Sequence, residues 1–375
     1  MCTRTNIFTT FVIIMKKVTI KDIATLAGVS RGTVDRALNN RGNIDPEKKK
    51  LILSIAKKLG YEKNLIASTL AHNKEIKIAV VLPDPDRDPF WKLPLTGIEK
   101  SQRFIKHYGL STQFYYFNIF DKNDYSRILV KALTKQPDAI LTAPVYREES
   151  VAFLQTAVQN KIPVFTINTE INHEDTLCYI GQNSFQCGLL AGRLINSNKK
   201  GKLKILALTL GHESKNAAHI AEKIRGLQSY SDQNNLANTI IDAAIENFSD
   251  PQTLYQESIK LLASNKDLEG ILFTNSRAYH FINQIDFNSN LLKPATIVGF
   301  DLIPQNIDLL INGKIDFLIN QDPVKQGYLG MINILNHLVF RKEIQFKQYL
   351  PADIVVKENY ELYINEMETD LEMAI

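Results

Sequence analysis

Two arginines, Arg31 and Arg36, lie on the outward face of a predicted helix near the amino terminus. A guanidinium can pair bidentately with guanine in the major groove of DNA and discriminate that base by about 1–3 kcal/mol. We therefore expect Arg31, Gly32 and Arg36 to lie against base edges. Three neighbouring polar residues are expected to contact phosphates: Thr19, Thr33 and Asn39.

Two short helices joined by a tight turn would position these side chains. Thr19 and Asp22 have capping-box spacing at the start of the first helix. Gly28 comes where a helix often ends in a left-handed residue, and Ser30 can cap the second helix. The second helix turns three apolar residues inward: Val34, Ala37 and Leu38. This spacing predicts a helix-turn-helix whose second helix enters the major groove.

A third helix is predicted after Asp45, because Pro46 suits the first helical position. Its apolar stripe ends before Gly60 and consists of Leu51, Ile52, Ile55, Ala56 and Leu59. Residues 16–63 hold 12 lysines and arginines and five acidic residues, a net charge of +7, whereas the whole chain carries +4. Positive charge is therefore concentrated where DNA phosphates would bind. Three amphipathic helices of some other small domain are the alternative.

Polar residues also follow apolar runs further along the chain, in segments 84–91, 166–168, 274–276, 299–301 and 320–322. Near-continuous apolar runs alternating with helical patterns predict parallel strands covered by helices on both faces. The runs are too many for one compact sheet, so we predict two doubly wound α/β lobes. Ligands bind such folds beyond the carboxyl ends of the strands. The amides, carboxylates and aromatic rings found there suit a hydroxyl-rich small molecule.

The predicted strands are Ile78–Leu82, Thr112–Phe117, Ala139–Ala143, Val164–Asn168, Ile205–Leu210, Thr239–Ile245, Gly270–Thr274, Thr296–Phe300 and Phe317–Asn320. The clearest helical patterns between them are Gly97–Tyr108, Tyr125–Thr134, Ser150–Gln159, Gln186–Ile195, Ala217–Gln233 and Pro251–Ala263.

The run from Val18 to Asn40, V-T-I-K-D-I-A-T-L-A-G-V-S-R-G-T-V-D-R-A-L-N-N, resembles the head-piece of the LacI/GalR family of bacterial transcription regulators. The rest of the chain resembles the family's two-lobed sensor domain, a periplasmic-binding-protein type I-like fold. The resemblance implies a cytoplasmic homodimer that binds double-stranded operator DNA and a sugar-like effector. It also implies a set of cleft residues: Phe90, Trp91, Asn168, Lys223, Asn275, Asp301 and Gln321.

Some of these assignments have plainer alternatives. Phe90 and Trp91 could belong to the core, and Asn275 and Asp301 could cap helices. Lys223 stands where many members have an arginine. An arginine can form two parallel hydrogen bonds to one ligand group and a lysine cannot, so the class of ligand could differ.

Residues 62–76 are predicted to link the two parts of the chain. Asn64, Ala67 and Leu70 match the family's hinge helix, in which a leucine enters the minor groove and bends the duplex. Lys63 and Ser68 depart from the proline and arginine that are usual there. A plain tether is the alternative to a hinge helix.

The predicted domains are an extension over residues 1–15, a DNA-binding domain over 16–61, the linker, and a sensor and dimerisation domain over 77–375. The apolar run 7–15 is too short to span a bilayer, so we expect no membrane partner. It resembles a weak secretory signal, but we prefer an upstream extension with the true start at Met15. Three cysteines without metal-type spacing indicate a reducing compartment.

Dinucleotide, phosphate-loop, zinc-protease and nucleophile-elbow motifs are all missing from the sequence. We therefore predict no enzyme activity, no cofactor and no metal. Two rival functions are kept: an exported sugar-binding protein with an amino-terminal signal, and a sugar-modifying enzyme of the same fold. The sequence leaves open the identity of the effector, the target genes and whether binding represses or activates.

Overall fold

The computed structural model describes residues 18–38, 42, 44–59, 75–171, 175–197, 199, 201–211, 218–285 and 295–364. The chain divides into two compact units, residues 1–68 and 69–375. Two predicted DNA-contacting residues, Asn39 and Leu70, lie outside the described residues, as do Asn64 and Ala67 of the predicted hinge.

Three helices form the described part of the first unit: α1 (Ile20–Ala27), α2 (Arg31–Leu38) and α3 (Pro46–Lys58). Thr19 and Asp22 form the predicted capping box, and Gly28 ends α1 with a φ of 65°. The Ser30 hydroxyl accepts a hydrogen bond from the Thr33 N–H at 3.2 Å and so caps α2. These local hydrogen bonds fix the turn between the two helices.

The core of this unit contains Ile23, Val34 and Ile52, one residue from each helix, and all three are fully buried. One part of the predicted stripe on α3 is wrong, because Leu51 is 48% exposed. Ile52 and Ala56, four residues apart, define the inward face of α3. Leu51 lies about 100° around the helix from Ile52, so its side chain falls outside that face.

The second unit contains two six-stranded sheets, in the orders β11-β5-β4-β3-β1-β2 and β12-β10-β9-β8-β6-β7. Every pairing is parallel except that of β10 with β12. The strands are β1 (Ile76–Pro83), β2 (Leu110–Phe117), β3 (Ala139–Thr142), β4 (Val164–Ile167), β5 (Cys178–Gly181), β6 (Lys204–Leu210), β7 (Thr239–Ile245), β8 (Gly270–Phe273), β9 (Thr296–Phe300), β10 (Phe317–Asn320), β11 (Lys347–Tyr349) and β12 (Asp353–Val355).

Helices cover the sheets, and a 3₁₀ turn, Pro89–Trp91, follows β1. The helices are α4 (Lys92–Lys106), α5 (Lys122–Thr134), α6 (Arg147–Gln159), α7 (Ser184–Asn196), α8 (Ala218–Gln233), α9 (Pro251–Ala263), α10 (Ala278–Gln284), α11 (Pro304–Ile311) and α12 (Pro323–Leu338). The predicted fold class, small helices followed by two α/β lobes with parallel sheets, is confirmed.

The chain passes between the two lobes three times. It leaves the first sheet after β5, returns after β10 and crosses again between β11 and β12. As a result α12, late in the sequence, packs on α4 and on the first sheet. The two sheets repeat one strand order, so β4 and β5 of the first lobe occupy the places of β9 and β10 in the second.

Helices α7 and α8 approach each other so closely that only glycine fits at the contact. A Cβ on Gly188 would lie 1.9 Å from the Lys223 carbonyl oxygen, and one on Gly226 would lie 2.1 Å from the Phe185 carbonyl oxygen. This contact holds the backbone of Lys223 against α7 and so fixes where its side chain begins.

We expect Gly226→Ala to lower the free energy of unfolding by about 1–3 kcal/mol in urea titrations, because the added methyl must separate the two backbones. The loss should outweigh the gain of up to about 1 kcal/mol in helix propensity. Gln228→Ala, on the exposed face of the same helix, should change stability by less than about 0.5 kcal/mol. Equal stability of the two variants would show that the close contact is absent.

Candidate functional site: a polar cleft and a helix-turn-helix

A cavity lies where the carboxyl ends of the strands in the two lobes face each other. The space between its walls, including the part open to solvent, is about 520 Å³. Its wall contains all seven predicted cleft residues, Phe90, Trp91, Asn168, Lys223, Asn275, Asp301 and Gln321. The predicted set is therefore brought together in one place.

Asp301 and Gln321 form the polar base of the cavity in the second lobe. Asp301 follows β9 with a φ of 67°, a left-handed conformation that is uncommon outside glycine. The Gln321 amide nitrogen donates to both carboxylate oxygens of Asp301, at 2.8 and 2.9 Å. Burial raises the pKa of Asp301 to about 6, although the Lys223 charge and the Gln321 hydrogen bond limit the rise. The carboxylate is therefore the prevailing form at neutral pH.

The first lobe has a related arrangement of uncharged side chains, in which the glutamine bonds to a backbone oxygen instead of a carboxylate. Asn168 follows β4 with a φ of 65°, and its N–H donates to the Ile180 carbonyl oxygen, as the Asp301 N–H donates to that of Ile319. Gln182 follows β5 and donates to the Asn168 carbonyl oxygen at 3.2 Å. Each lobe thus presents one left-handed Asn or Asp that a glutamine holds in place.

Phe90 and Trp91 are held at the cavity wall by the 3₁₀ turn. The Asp88 carboxylate caps this turn by accepting from the Phe90 N–H at 3.2 Å. The two rings meet edge to face with centroids 5.1 Å apart. Both rings are buried and both line the cavity, so packing and a role in binding are compatible here.

Neither Asn275 nor Asp301 caps a helix, because the caps of the following helices are Arg277 and Ile303. The Asn275 amide donates to the Leu210 carbonyl oxygen at 2.9 Å, and its side-chain oxygen accepts from the Arg277 N–H at 3.3 Å. Asn275 thus bonds to the residue that precedes the helix without being its N-cap, and Asp301 is not an N-cap either.

Lys223 reaches the cavity from α8. Its ammonium donates to the Thr274 carbonyl oxygen at 2.9 Å and lies 3.7 Å from the centre of the Phe300 ring. Burial lowers the pKa of Lys223, and the nearby Cys187 and Asp301 oppose that shift. The contact with the ring is a cation–π interaction, which favours the charged form.

An ion pair joins the two lobes across the cleft. The Arg277 guanidinium of the second lobe donates to the Asp88 carboxylate of the first at 2.7 Å, and their side chains are only 5% and 6% exposed. A second nitrogen of the guanidinium donates to the Leu210 carbonyl oxygen. The rings of Phe120 and Phe248, one from each lobe, lie 5.0 and 5.2 Å from the guanidinium carbon.

Thr169 and His219 make a second contact between the lobes, with 3.4 Å between the hydroxyl oxygen and the ring Nδ1. Burial, and then the charges of Lys223 and Arg277, lower the pKa of His219 to about 3. The imidazole is therefore neutral at physiological pH and lines the cavity beside the predicted residues.

The sequence prediction missed Asp88, Thr169, Gln182, His219 and Arg277. Asp88 lies inside segment 84–91 and Arg277 directly follows segment 274–276, both already identified as polar strand ends, which was the available signal. In the described part of the chain, no group of three or more His, Cys, Asp or Glu side chains is placed to hold a metal ion.

The helix-turn-helix places the predicted base-reading residues on α2. Arg31 and Gly32 open the helix, and both are exposed. The Arg36 Nε donates to the Gly32 carbonyl oxygen at 3.2 Å, so this side chain folds back along its own helix.

The two threonines predicted to contact phosphates are hydrogen-bonded within the protein. The hydroxyl of Thr19 bonds to Asp22 and that of Thr33 to Ser30, at 2.7 and 2.9 Å. Both threonines therefore lie at the start of a helix, Thr19 before α1 and Thr33 in the first turn of α2.

Comparison with known proteins identifies the family. Residues 19–64 match the bacterial regulatory proteins of the lacI family, and residues 78–342 match the periplasmic binding protein domain. The chain belongs to the lacI family of bacterial regulatory proteins. It is a DNA-binding transcriptional regulator whose second unit is a periplasmic binding protein domain. The match to the regulator family favours this function over an exported sugar-binding protein and over a sugar-modifying enzyme.

The regulator resembles other members along most of its length. The HTH-type transcriptional regulator RegA of Clostridium saccharobutylicum is 26% identical over 354 residues, which cover 91% of this chain and 98% of that protein. The ribose operon repressor of Lactococcus lactis subsp. lactis (strain IL1403) is 24% identical over 286 residues, covering 76% of this chain and 80% of that protein.

Solved structures share the fold of the second unit. A protein assigned as a LacI transcriptional regulator from Bacteroides fragilis aligns with a TM-score of 0.70 and 23% identity, covering 77% of this chain and 100% of that one. GanP, a glucose-galactose binding protein from Geobacillus stearothermophilus, aligns with a TM-score of 0.66 and 22% identity, covering 76% and 99%. Within the described residues, no helix combines the length and apolar character needed to cross a membrane.

The raised pKa of Asp301 predicts a pH-dependent cost in stability. The folded state binds the Asp301 proton more tightly than the unfolded chain, so the wild type should lose stability relative to Asp301→Asn as the pH rises from about 4 to about 6. A shift from 3.8 to about 6 corresponds to roughly 3 kcal/mol. Urea unfolding of both proteins from about pH 3 to about pH 7, which spans both pKa values, measures the full change, and parallel profiles would contradict the pKa assignment.

Proposed function

We propose that this regulator is a cytoplasmic homodimer whose operator affinity is controlled by a sugar or sugar derivative bound in the cleft. The observation that supports this most is the convergence of Asp301, Gln321, Asn275 and two aromatic rings on one cavity. Two copies are needed to present two reading helices to the half-sites of a near-palindromic operator. The cleft binds its effector without turnover, so the effector should be recovered unchanged.

On the DNA side, we propose that α2 carries base recognition. Arg31, Gly32 and Arg36 contact base edges, and Arg36 must leave its bond to the Gly32 carbonyl oxygen to do so. Phosphate contacts are proposed for Thr19, Thr33 and Asn39. Leu70 is proposed as the residue that enters the minor groove and bends the duplex.

On the effector side, the carboxylate of Asp301 and the amides of Asn168, Asn275 and Gln321 bind hydroxyl groups. Two buried atoms of cavity residues, Trp91 Nε1 and Gln321 Oε1, have no hydrogen-bond partner within the described residues. A ligand rich in hydroxyls offers both an acceptor and a donor to such atoms. Phe90 or Trp91 packs against the apolar face of the ring, and Lys223 completes the wall.

Control follows from closure of the lobes around the effector. Among the described strands, the chain connects the lobes through three crossing segments, and a change in cleft closure moves one lobe relative to the other about these segments. If operator DNA favours one closure state and effector favours another, each lowers the affinity for the other; if both favour one state, each raises it.

Arg36→Ala should relax base preference at one position of the operator. Wild-type protein first selects an operator from a pool of random duplexes, and affinities are then measured on every single-base variant of it. We expect discrimination at one or two adjacent positions to fall by about 1–3 kcal/mol. Lys57→Ala, which removes an exposed charge from α3, should leave the base preferences unchanged. An equal loss of affinity on all variants would make Arg36 a phosphate contact.

Asp301→Ala should abolish the operator response to effector and leave operator binding without effector nearly unchanged. Removing a buried charged hydrogen-bonding partner costs about 1–3 kcal/mol or more in binding. Operator affinity with and without effector, and effector affinity by titration calorimetry, measure the two properties. Asp308→Ala removes an exposed carboxylate from α11 and serves as the control. Wild-type effector affinity in Asp301→Ala would show that the cleft assignment is wrong.

A further inference from the structure

The charges around the cleft are balanced. Among the described residues that line it, the charged side chains are Asp88, Lys223, Arg277 and Asp301, two of each sign. All four are buried. A buried charge is costly unless another charge or a hydrogen bond compensates for it, so the way each cation is compensated determines what the site can accept.

Both terminal nitrogens of the Arg277 guanidinium donate hydrogen bonds to protein oxygens. One terminal nitrogen donates to Asp88 and the other to the Leu210 carbonyl oxygen. Asp88 in turn accepts from the Phe90 N–H with its second oxygen. A ligand anion that paired with the guanidinium nitrogen now bonded to Asp88 would have to displace that carboxylate, which would leave it buried without its cation.

Lys223 is also compensated. Its ammonium donates to the Thr274 carbonyl oxygen, lies over the Phe300 ring and interacts with the Asp301 charge. His219 beside it is neutral. Within the described wall, therefore, no cation is left over to neutralise a phosphate or carboxylate.

We propose that the effector is an uncharged hydroxyl-rich compound, and that the Asp88–Arg277 pair excludes sugar phosphates and sugar acids by occupying the cation that would bind them. This inference rests on the proposed function, since it names the charge class of the effector at the same site. The pair acts on specificity because Asp88 occupies the guanidinium edge that a ligand anion would need.

Titration calorimetry on the full-length protein tests this with matched sets of probes: D-ribose, D-ribose 5-phosphate and D-ribonate; D-glucose, D-glucose 6-phosphate and D-gluconate; D-galactose, D-galactose 6-phosphate and D-galactonate. We expect the tightest-binding probe to be a neutral sugar, at least 100-fold tighter than its own phosphate and acid.

The variant Asp88→Asn tests whether the ion pair itself excludes anions. It frees Arg277 from its carboxylate, so the ratio of neutral to anionic affinity should fall at least tenfold. Asp86→Asn makes the same charge change at an exposed residue two positions away and should leave the ratio as in the wild type. An unchanged ratio in folded Asp88→Asn protein would overturn the assignment to this pair.

The wild-type measurement decides the charge class even where the Asp88 variant does not fold. A phosphate or acid that binds more tightly than its neutral parent would overturn the inference and leave the proposed sugar response standing. Failure of all nine probes to bind would count against the sugar proposal and remove the basis of the inference with it.

Discussion

The parallel pairing of strands is the constraint on which the cleft depends. Because neighbouring strands run in one direction, their carboxyl ends meet at one edge of each sheet, and the two edges face each other across the cavity. Asn168 and Asp301 follow equivalent strands, and both take left-handed conformations there. The site is thus assembled from residues far apart in sequence without any long loop to carry them.

Buried charge is the second feature on which the geometry of the cleft depends. The Asp88–Arg277 pair and the Thr169–His219 contact both join residues from different lobes, so the cleft as described is held by its own side chains as well as by the crossing segments. Breaking a buried pair leaves an uncompensated charge. The balance between open and closed clefts, on which control of the operator depends, therefore includes the desolvation of these charges.

Much of the fold and site could be predicted from the sequence, because the signals were local. Caps at Thr19 and Ser30 located the first helices, and continuous apolar runs located nine strands. The missed strands carry a weaker apolar signal: β11 (Lys-Gln-Tyr) and β12 (Asp-Ile-Val) are three residues long and begin with a charged residue, and β5 (Cys-Tyr-Ile-Gly) contains a single branched aliphatic residue. The Asp88–Arg277 pair spans 189 residues, and Leu51 lies outside a helix face that only the packed core defines. Such features depend on tertiary contacts, which no local pattern contains.

The central claim is that one protein couples effector and operator binding, and linkage tests it most directly. Once an effector is found, its dissociation constant should be measured by calorimetry for the free regulator and for the regulator saturated with its operator duplex. The account predicts that the two constants differ by the same factor by which saturating effector changes the operator dissociation constant. Equal effector affinity of the free and DNA-bound regulator would contradict it.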